Sequence, residues 1–334
     1  HQTPADTIRP DSYFSSIINW QKKRHNWDIK NEWISFSPGV VPAVNLLVLE
    51  FSEPGDKIIV QPPVYFPFFS AIKNHGRIQI DNPLLLKNGR YHFDFEDLKL
   101  KIDDQVKMII ISNPHNPGGM AWTSKELTEL AEICIENDIL IISDEIHSDL
   151  MLFGNKHIPM ATLSERIAQN TICLMAPSKT FNIAGLSSSF LVIPNSQLHE
   201  RFEDILEKIH IGSGNIFGTV AMEAAYTHGE VWLDELLNYL EENINYLDQF
   251  IKNNIPKIKV MIPESTYMVW LDFSAFGLSE NELNEKIIGD ANLGFNPGEM
   301  FGAGGEGYQR INVACPKSTL TQALDALKPV FENL

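Results

Sequence analysis

The chain has 334 residues, 44% apolar and 21% charged, the proportions of an ordinary globular protein, and its length suits two domains better than one core. Its net charge of −17 argues against the basic surface that nucleic acid or an anionic membrane would need. Cys134, Cys173 and Cys315 are odd in number, far apart and free of C-x-x-C spacing, so they read as three buried structural thiols in a reducing compartment rather than as disulfides or a zinc knuckle.

In chain order, residues 1–10 are polar, hold two prolines and read as a loose arm. The chain opens on His1 rather than a methionine, which fits numbering that starts inside a longer product. No apolar run reaches the roughly 18 residues a membrane span takes, and no signal-peptide pattern is present. The expected location is the cytoplasm. A helical pattern starts at Asp11 and ends near Lys22-Lys-Arg24. Trp33 to Phe36 reads as a short strand running into Ser37-Pro-Gly-Val-Val-Pro-Ala43 and a helix to Leu49. A small-residue turn feeding a helix N-terminus can bind an anion through its free N–H groups, although a plain turn explains these residues equally well.

From Lys57 the pattern alternates. Strands are expected at 57–60, 106–111, 139–142, 171–175 and 189–193, with a helix at 124–137 capped by Ser124. Continuous apolar strands between helices predict an α/β fold whose mostly parallel sheet is covered on both faces. Past Pro194 the texture changes to helical patterns over 196–228 and a long amphipathic helix near 230–253. Short strands follow near 258–262 and 267–273, then a helix near 279–289, a strand at 309–314 and a terminal helix from 318. The expected organisation is an arm (1–10), a large domain (11–235) and a smaller α+β domain (236–334). Gly302-Ala-Gly-Gly-Glu-Gly307 matches G-x-G-x-x-G, but the next element reads as a strand where a dinucleotide fingerprint needs a helix. It reads as a lid or turn.

Ligands of open α/β sheets bind beyond the carboxyl ends of the strands. Three expected strand ends carry polar groups there: Asn116, Asp144 and Lys179. Singly, each has a dull explanation: a proline turn, a helix cap, a surface lysine. Together they supply what pyridoxal phosphate chemistry calls for, namely an imine-forming amine, a carboxylate to keep the pyridine nitrogen protonated, and an amide for the phenolic oxygen.

At these residues the sequence resembles the aspartate aminotransferase superfamily of pyridoxal-phosphate enzymes. The motifs are Asn113-Pro-His-Asn-Pro-Gly118, Asp144-Glu-Ile146, Ser178-Lys-Thr-Phe181 and Arg310-Ile-Asn312. The nearer resemblance is to the cystathionine β-lyase or C–S lyase branch, through Trp33-Ile-Ser-Phe-Ser-Pro-Gly-Val-Val41, Asp144-Glu-Ile-His147 and Ser178-Lys-Thr-Phe-Asn182. The resemblance implies Lys179 as the Schiff-base lysine and proton shuttle, Asp144 on the pyridinium nitrogen, Asn116 on the phenolic oxygen and Tyr65 stacked on the ring. It further implies Ser178 and the backbone at Val40 and Val41 on the phosphate, and Arg310 on the carboxylate of a small amino-acid substrate. It also implies a homodimer with the site near the subunit interface.

Two positions depart from the common aminotransferase pattern. Ser187 stands eight residues after the lysine, where many carry a phosphate-binding arginine, and His147 stands three after the aspartate, where many carry a tyrosine. Both departures resemble the lyase branch. His147 either lies near the cofactor or is a satisfied core histidine. The leading expectation is β-elimination of a thiol from cystathionine or a related cysteine S-conjugate, giving pyruvate and ammonia. The alternatives are an amino-acid aminotransferase and, from another class, a cofactor-binding regulatory protein.

Overall fold

The computed structural model describes residues 9–334, so most of the expected arm lies outside the described residues. Seven strands form the main sheet: β1 (Ile34–Ser37), β2 (Lys57–Val60), β3 (Ile78–Asp81), β6 (Val106–Ser112), β7 (Leu140–Asp144), β8 (Thr171–Met175) and β9 (Ser189–Val192). Between them, β4 (Leu85–Lys87) and β5 (Arg90–His92) make a separate hairpin. The order across the sheet is β1-β9-β8-β7-β6-β2-β3. Strands β3, β2, β6, β7 and β8 pair in parallel, and β9 runs against both β8 and β1.

The central strands are apolar throughout because both of their faces are buried. Successive side chains of a strand point to opposite faces. Ile109, Ile111, Ile141, Cys173 and Met175 accordingly enter one core. Their neighbours Met108, Ile110, Ile142, Ile172 and Leu174 enter another, beneath the Val40–Phe51 helix. The α/β sheet expected from the alternating pattern is therefore present, and register does the rest. Ser112 pairs with Asp144 and Asp144 with Leu174, so three strand ends finish side by side.

A second, wholly antiparallel sheet follows in the order β10-β11-β13-β12, from Lys259–Met261, Met268–Asp272, Tyr308–Asn312 and Asn296–Pro297. Its apolar residues share a core with the long Glu230–Asn254 helix and the terminal Lys317–Phe331 helix. Across that core, Asn243 Nδ2 donates to the carbonyls of Val313 (2.9 Å) and Cys315 (3.0 Å).

Several local expectations are corrected or sharpened. Thr123, not Ser124, caps the Ser124–Glu136 helix, because Thr123 and Glu126 form a reciprocal capping box. The 196–228 stretch is two helices, Ser196–Lys208 and Ile216–His228, the second capped by Asn215. The helix near 279–289 is α-helical only over Glu280–Asn284 and continues as a π-helical turn, Glu285–Asp290. Strand β3 escaped the pattern because it is short and only partly buried at the sheet edge. Cys134 and Cys173 are buried, but Cys315 is only half-buried. The glycine-rich loop is a packed turn leading into β13: a Cβ on Gly298 would lie 1.9 Å from the Gly305 carbonyl oxygen, and Val64 N–H donates to the Phe301 carbonyl at 2.9 Å. No helix among the described residues is long and apolar enough to cross a membrane.

Candidate active site

A cleft of about 310 Å³ opens at the carboxyl ends of β6, β7 and β8. Its walls hold Val40, Val41, Tyr65, Asn116, Asp144, His147, Ser178, Lys179 and Arg310, so all nine residues singled out from the sequence come together.

Lys179 sits in the four-residue helix Pro177–Thr180, directly beyond β8. Pro177 occupies the first turn, where its fixed φ suits a helix start and its missing N–H costs nothing. Asp144 ends β7 and is buried; its Oδ1 accepts from Ile146 N–H at 3.1 Å. Burial pushes its carboxyl up to about 7, helped by the neighbouring Glu145 charge and opposed by the Ile146 N–H and by Lys179. The carboxylate thus lacks a cationic partner strong enough to offset its desolvation.

Arg310 comes from β13 of the other sheet and is also buried. The Asn116 Oδ1 accepts from its Nη1 at 2.8 Å, and Asn296 Oδ1 accepts from Nη2 at 2.8 Å and Nε at 3.3 Å. Each terminal nitrogen keeps one N–H without a partner among the described residues, so the guanidinium still has donors to offer a carboxylate. Burial lowers its pKa, and no Asp or Glu among the described residues forms an ion pair with it. A buried guanidinium without a carboxylate is costly. With Asn116 Oδ1 committed to Arg310, the donor end of that amide is turned away from the guanidinium. Asn296 was not among the residues singled out from the sequence. Its role rests on the cross-strand pairing Asn296–Arg310, which no local pattern encodes.

His147 resolves toward the cleft. It lines the wall, its Nδ1 has no partner among the described residues, and its ring stands edge-on to Tyr267 at 6.0 Å. Burial, with the Lys179 and Arg310 charges, lowers its pKa to about 3, so the ring is neutral at physiological pH. Tyr65 is half-buried, its phenol raised by burial and by the Asp144 charge.

At the other end of the cleft, Val40 and Val41 open the Val40–Phe51 helix, whose cap position, Gly39, offers no side-chain cap. Free N–H groups and the positive end of the helix dipole therefore face the cleft. Ser178, Ser187 and Ser188 line the same cleft. The Ser188 hydroxyl is buried beside the Tyr13 hydroxyl. Ser188 had no sequence signal of its own.

Residues 10–327 match the family of class I and II aminotransferases. The chain belongs to that family. It is 45% identical to the cystathionine β-lyase PatB of Bacillus subtilis (strain 168) over 314 residues, covering 94% of this chain and 81% of that one. Cystalysin from Treponema denticola, whose crystal structure contains pyridoxal 5′-phosphate, superposes with a TM-score of 0.94 at 38% identity, covering 97% of this chain and 83% of that one. A pyridoxal-phosphate-bound C–S lyase from Staphylococcus hominis superposes with a TM-score of 0.90 at 33% identity, covering 96% and 82%.

Pyridoxal phosphate is the cofactor of this family member, and the cleft suits it. The uncapped helix N-terminus and the serine-lined wall beside it, Ser178 and Ser187, suit a phosphate dianion. The desolvated Asp144 suits a pyridinium N–H, and Lys179 lies near enough to Asp144 for its charge to be felt there.

Proposed function

We propose that the protein is a pyridoxal-phosphate-dependent carbon–sulfur β-lyase acting on cystathionine or related cysteine S-conjugates. The observation that carries the amino-acid part is Arg310, buried, held by two asparagines and without a carboxylate partner among the described residues, in the same cleft as Lys179. The carbon–sulfur part is supported by Ser187 and His147 in place of the arginine and tyrosine of many aminotransferases, and by the activities named for the relatives above.

When bound, the cofactor supplies an electron-accepting ring that stabilises negative charge at the substrate's α-carbon. Val40 and Val41 N–H with Ser178 would hold its phosphate, Asp144 its ring nitrogen, Asn116 Nδ2 its phenolic oxygen, and Tyr65 one ring face. Arg310 would grip the α-carboxylate and so set which substituent of Cα faces Lys179. Lys179 Nζ would then take the Cα proton, at a distance and angle fixed by the turn that carries it. The Cβ–S bond breaks with its electron pair on sulfur, and the Lys179 ammonium can return the proton to that thiolate. Water completes the balance: one S-conjugate and one water give one thiol, one pyruvate and one ammonium ion. Neutral His147 adds no competing positive charge to the wall.

The deciding assay measures pyruvate and free thiol from cystathionine, with and without a 2-oxo acid acceptor. Release without acceptor is expected, and Lys179→Ala should abolish it. Turnover only with an acceptor would mean an aminotransferase, and no turnover under either condition would favour a cofactor-binding protein. A homodimer, with the site near the subunit boundary, completes the proposal.

A further inference from the structure

The side of the site facing away from the cleft is built from ionisable groups that the proposed reaction does not use. Glu145 follows Asp144 and is fully buried; its Oε2 lies 2.7 Å from His157 Nε2, and its Oε1 accepts from Ser143 Oγ and Met160 N–H, both at 2.9 Å. Asp149 is buried as well. Its Oδ1 accepts from Trp20 Nε1 at 2.9 Å and lies 2.8 Å from His25 Nε2, while its Oδ2 accepts from Thr180 Oγ1 at 3.0 Å. The two imidazoles stand edge to face, 5.4 Å apart. Burial alone would raise the Asp149 carboxyl, yet His25, Trp20 and Thr180 together hold it below the ordinary range. Asp149 is therefore a fully hydrogen-bonded carboxylate, and such buried networks are rigid.

Thr180 matters because it follows Lys179. The Pro177–Thr180 helix is a single turn with no side-chain cap, and a turn that short has no stability of its own. Among the described residues, Thr180 is the one member of this turn whose side chain is hydrogen-bonded to the rest of the protein. Trp20 and His25 both belong to the Asp11–His25 helix, so one carboxylate ties that helix to the lysine turn.

We infer that the Thr180–Asp149–His25 link is a positioning device for Lys179, holding the turn so that Nζ keeps one place in the cleft. The inference rests on the reading of Lys179 as the cofactor-bearing lysine. Neither Thr180 nor Asp149 lines the cleft, so both act through the backbone of the turn. A misplacement of about 1 Å at such a group can cost about a hundredfold in rate.

Thr180→Val removes the hydroxyl and nearly keeps the volume, Thr180→Ala carries the same expectation with a different packing, and Thr180→Ser restores the hydroxyl. Each holoenzyme is titrated by absorbance to find the pH midpoint of its lysine-linked cofactor band, and apoprotein affinity for pyridoxal phosphate is measured alongside. The valine and alanine variants should move the midpoint by about half a pH unit or more and weaken cofactor retention about tenfold. The serine variant should return both to near wild type. Valine and alanine variants that match wild type in both readouts would overturn the inference. So would a serine variant as impaired as valine, since the methyl packing and not the hydroxyl would then matter. Lys179→Ala is run in parallel, with borohydride reduction to trap any lysine-linked cofactor. A trapped adduct persisting in that variant would overturn the assignment of Lys179 itself; its loss there, beside an unchanged Thr180→Val, would overturn only the positioning role.

Discussion

Asp144→Asn tests the electrostatics of the cleft without assuming any turnover. Burial holds the Asp144 carboxyl at about 7 against an ordinary 3.8, a gap worth on the order of 4 kcal/mol. Because its folded pKa is raised, the apoprotein binds more protons at this site than the unfolded chain does between those two values. Stability from this group is therefore full below about pH 4 and is lost as pH rises through 7. Other groups titrate in the same window: His115 and His147 have folded values lowered to about 4 and about 3, so their contribution rises with pH. The informative quantity is thus the difference between wild type and Asp144→Asn, measured by urea unfolding of both apoproteins from pH 4 to pH 8. The difference should change by on the order of 4 kcal/mol in favour of the asparagine variant as pH rises, and level off above 7. Saturating pyridoxal phosphate should recover much of the wild-type loss at pH 8, by placing a cation beside the carboxylate, and should help the variant less. Parallel pH curves for the two apoproteins would refute the reasoning, since Asp144 would then ionise in the cleft as freely as in water.

Two further outcomes follow from the geometry. Asn296→Ala leaves Nε and Nη2 of Arg310 without their acceptor, so KM for an amino-acid substrate should rise about tenfold while kcat changes less, a loss of roughly 1–2 kcal/mol; unchanged steady-state kinetics would remove Asn296 from the site. Gly298→Ala drives a Cβ to 1.9 Å from the Gly305 carbonyl oxygen, backbone that cannot swing aside, and should cost a few kcal/mol in thermal unfolding. A melting temperature equal to wild type would show that this loop is looser than its packing implies.

The local chemistry of this protein was set by its sequence. Runs such as Ile109-Ile-Ile111 and Thr171-Ile-Cys-Leu-Met175 specify strands buried on both faces, because each residue must find an apolar partner on one side or the other. The breaks that end those runs place Asn116, Asp144 and Lys179 at strand termini, which is why they were legible in the sequence alone. Short or half-exposed elements, β3 and the β4–β5 hairpin, were not, since partial burial leaves little periodicity. Tertiary structure alone decided which distant residues complete the site. Asn116 and Arg310 are 194 positions apart and meet only because β13 of the second sheet faces the end of β6. Asn296 becomes an arginine clamp through register, and Thr180 meets Asp149 through the return of the chain from β7 to β8. A sequence states which groups are available and which backbone runs will bury themselves; the free energy of pairing a buried charge depends on partners that only the folded chain brings within 3 Å.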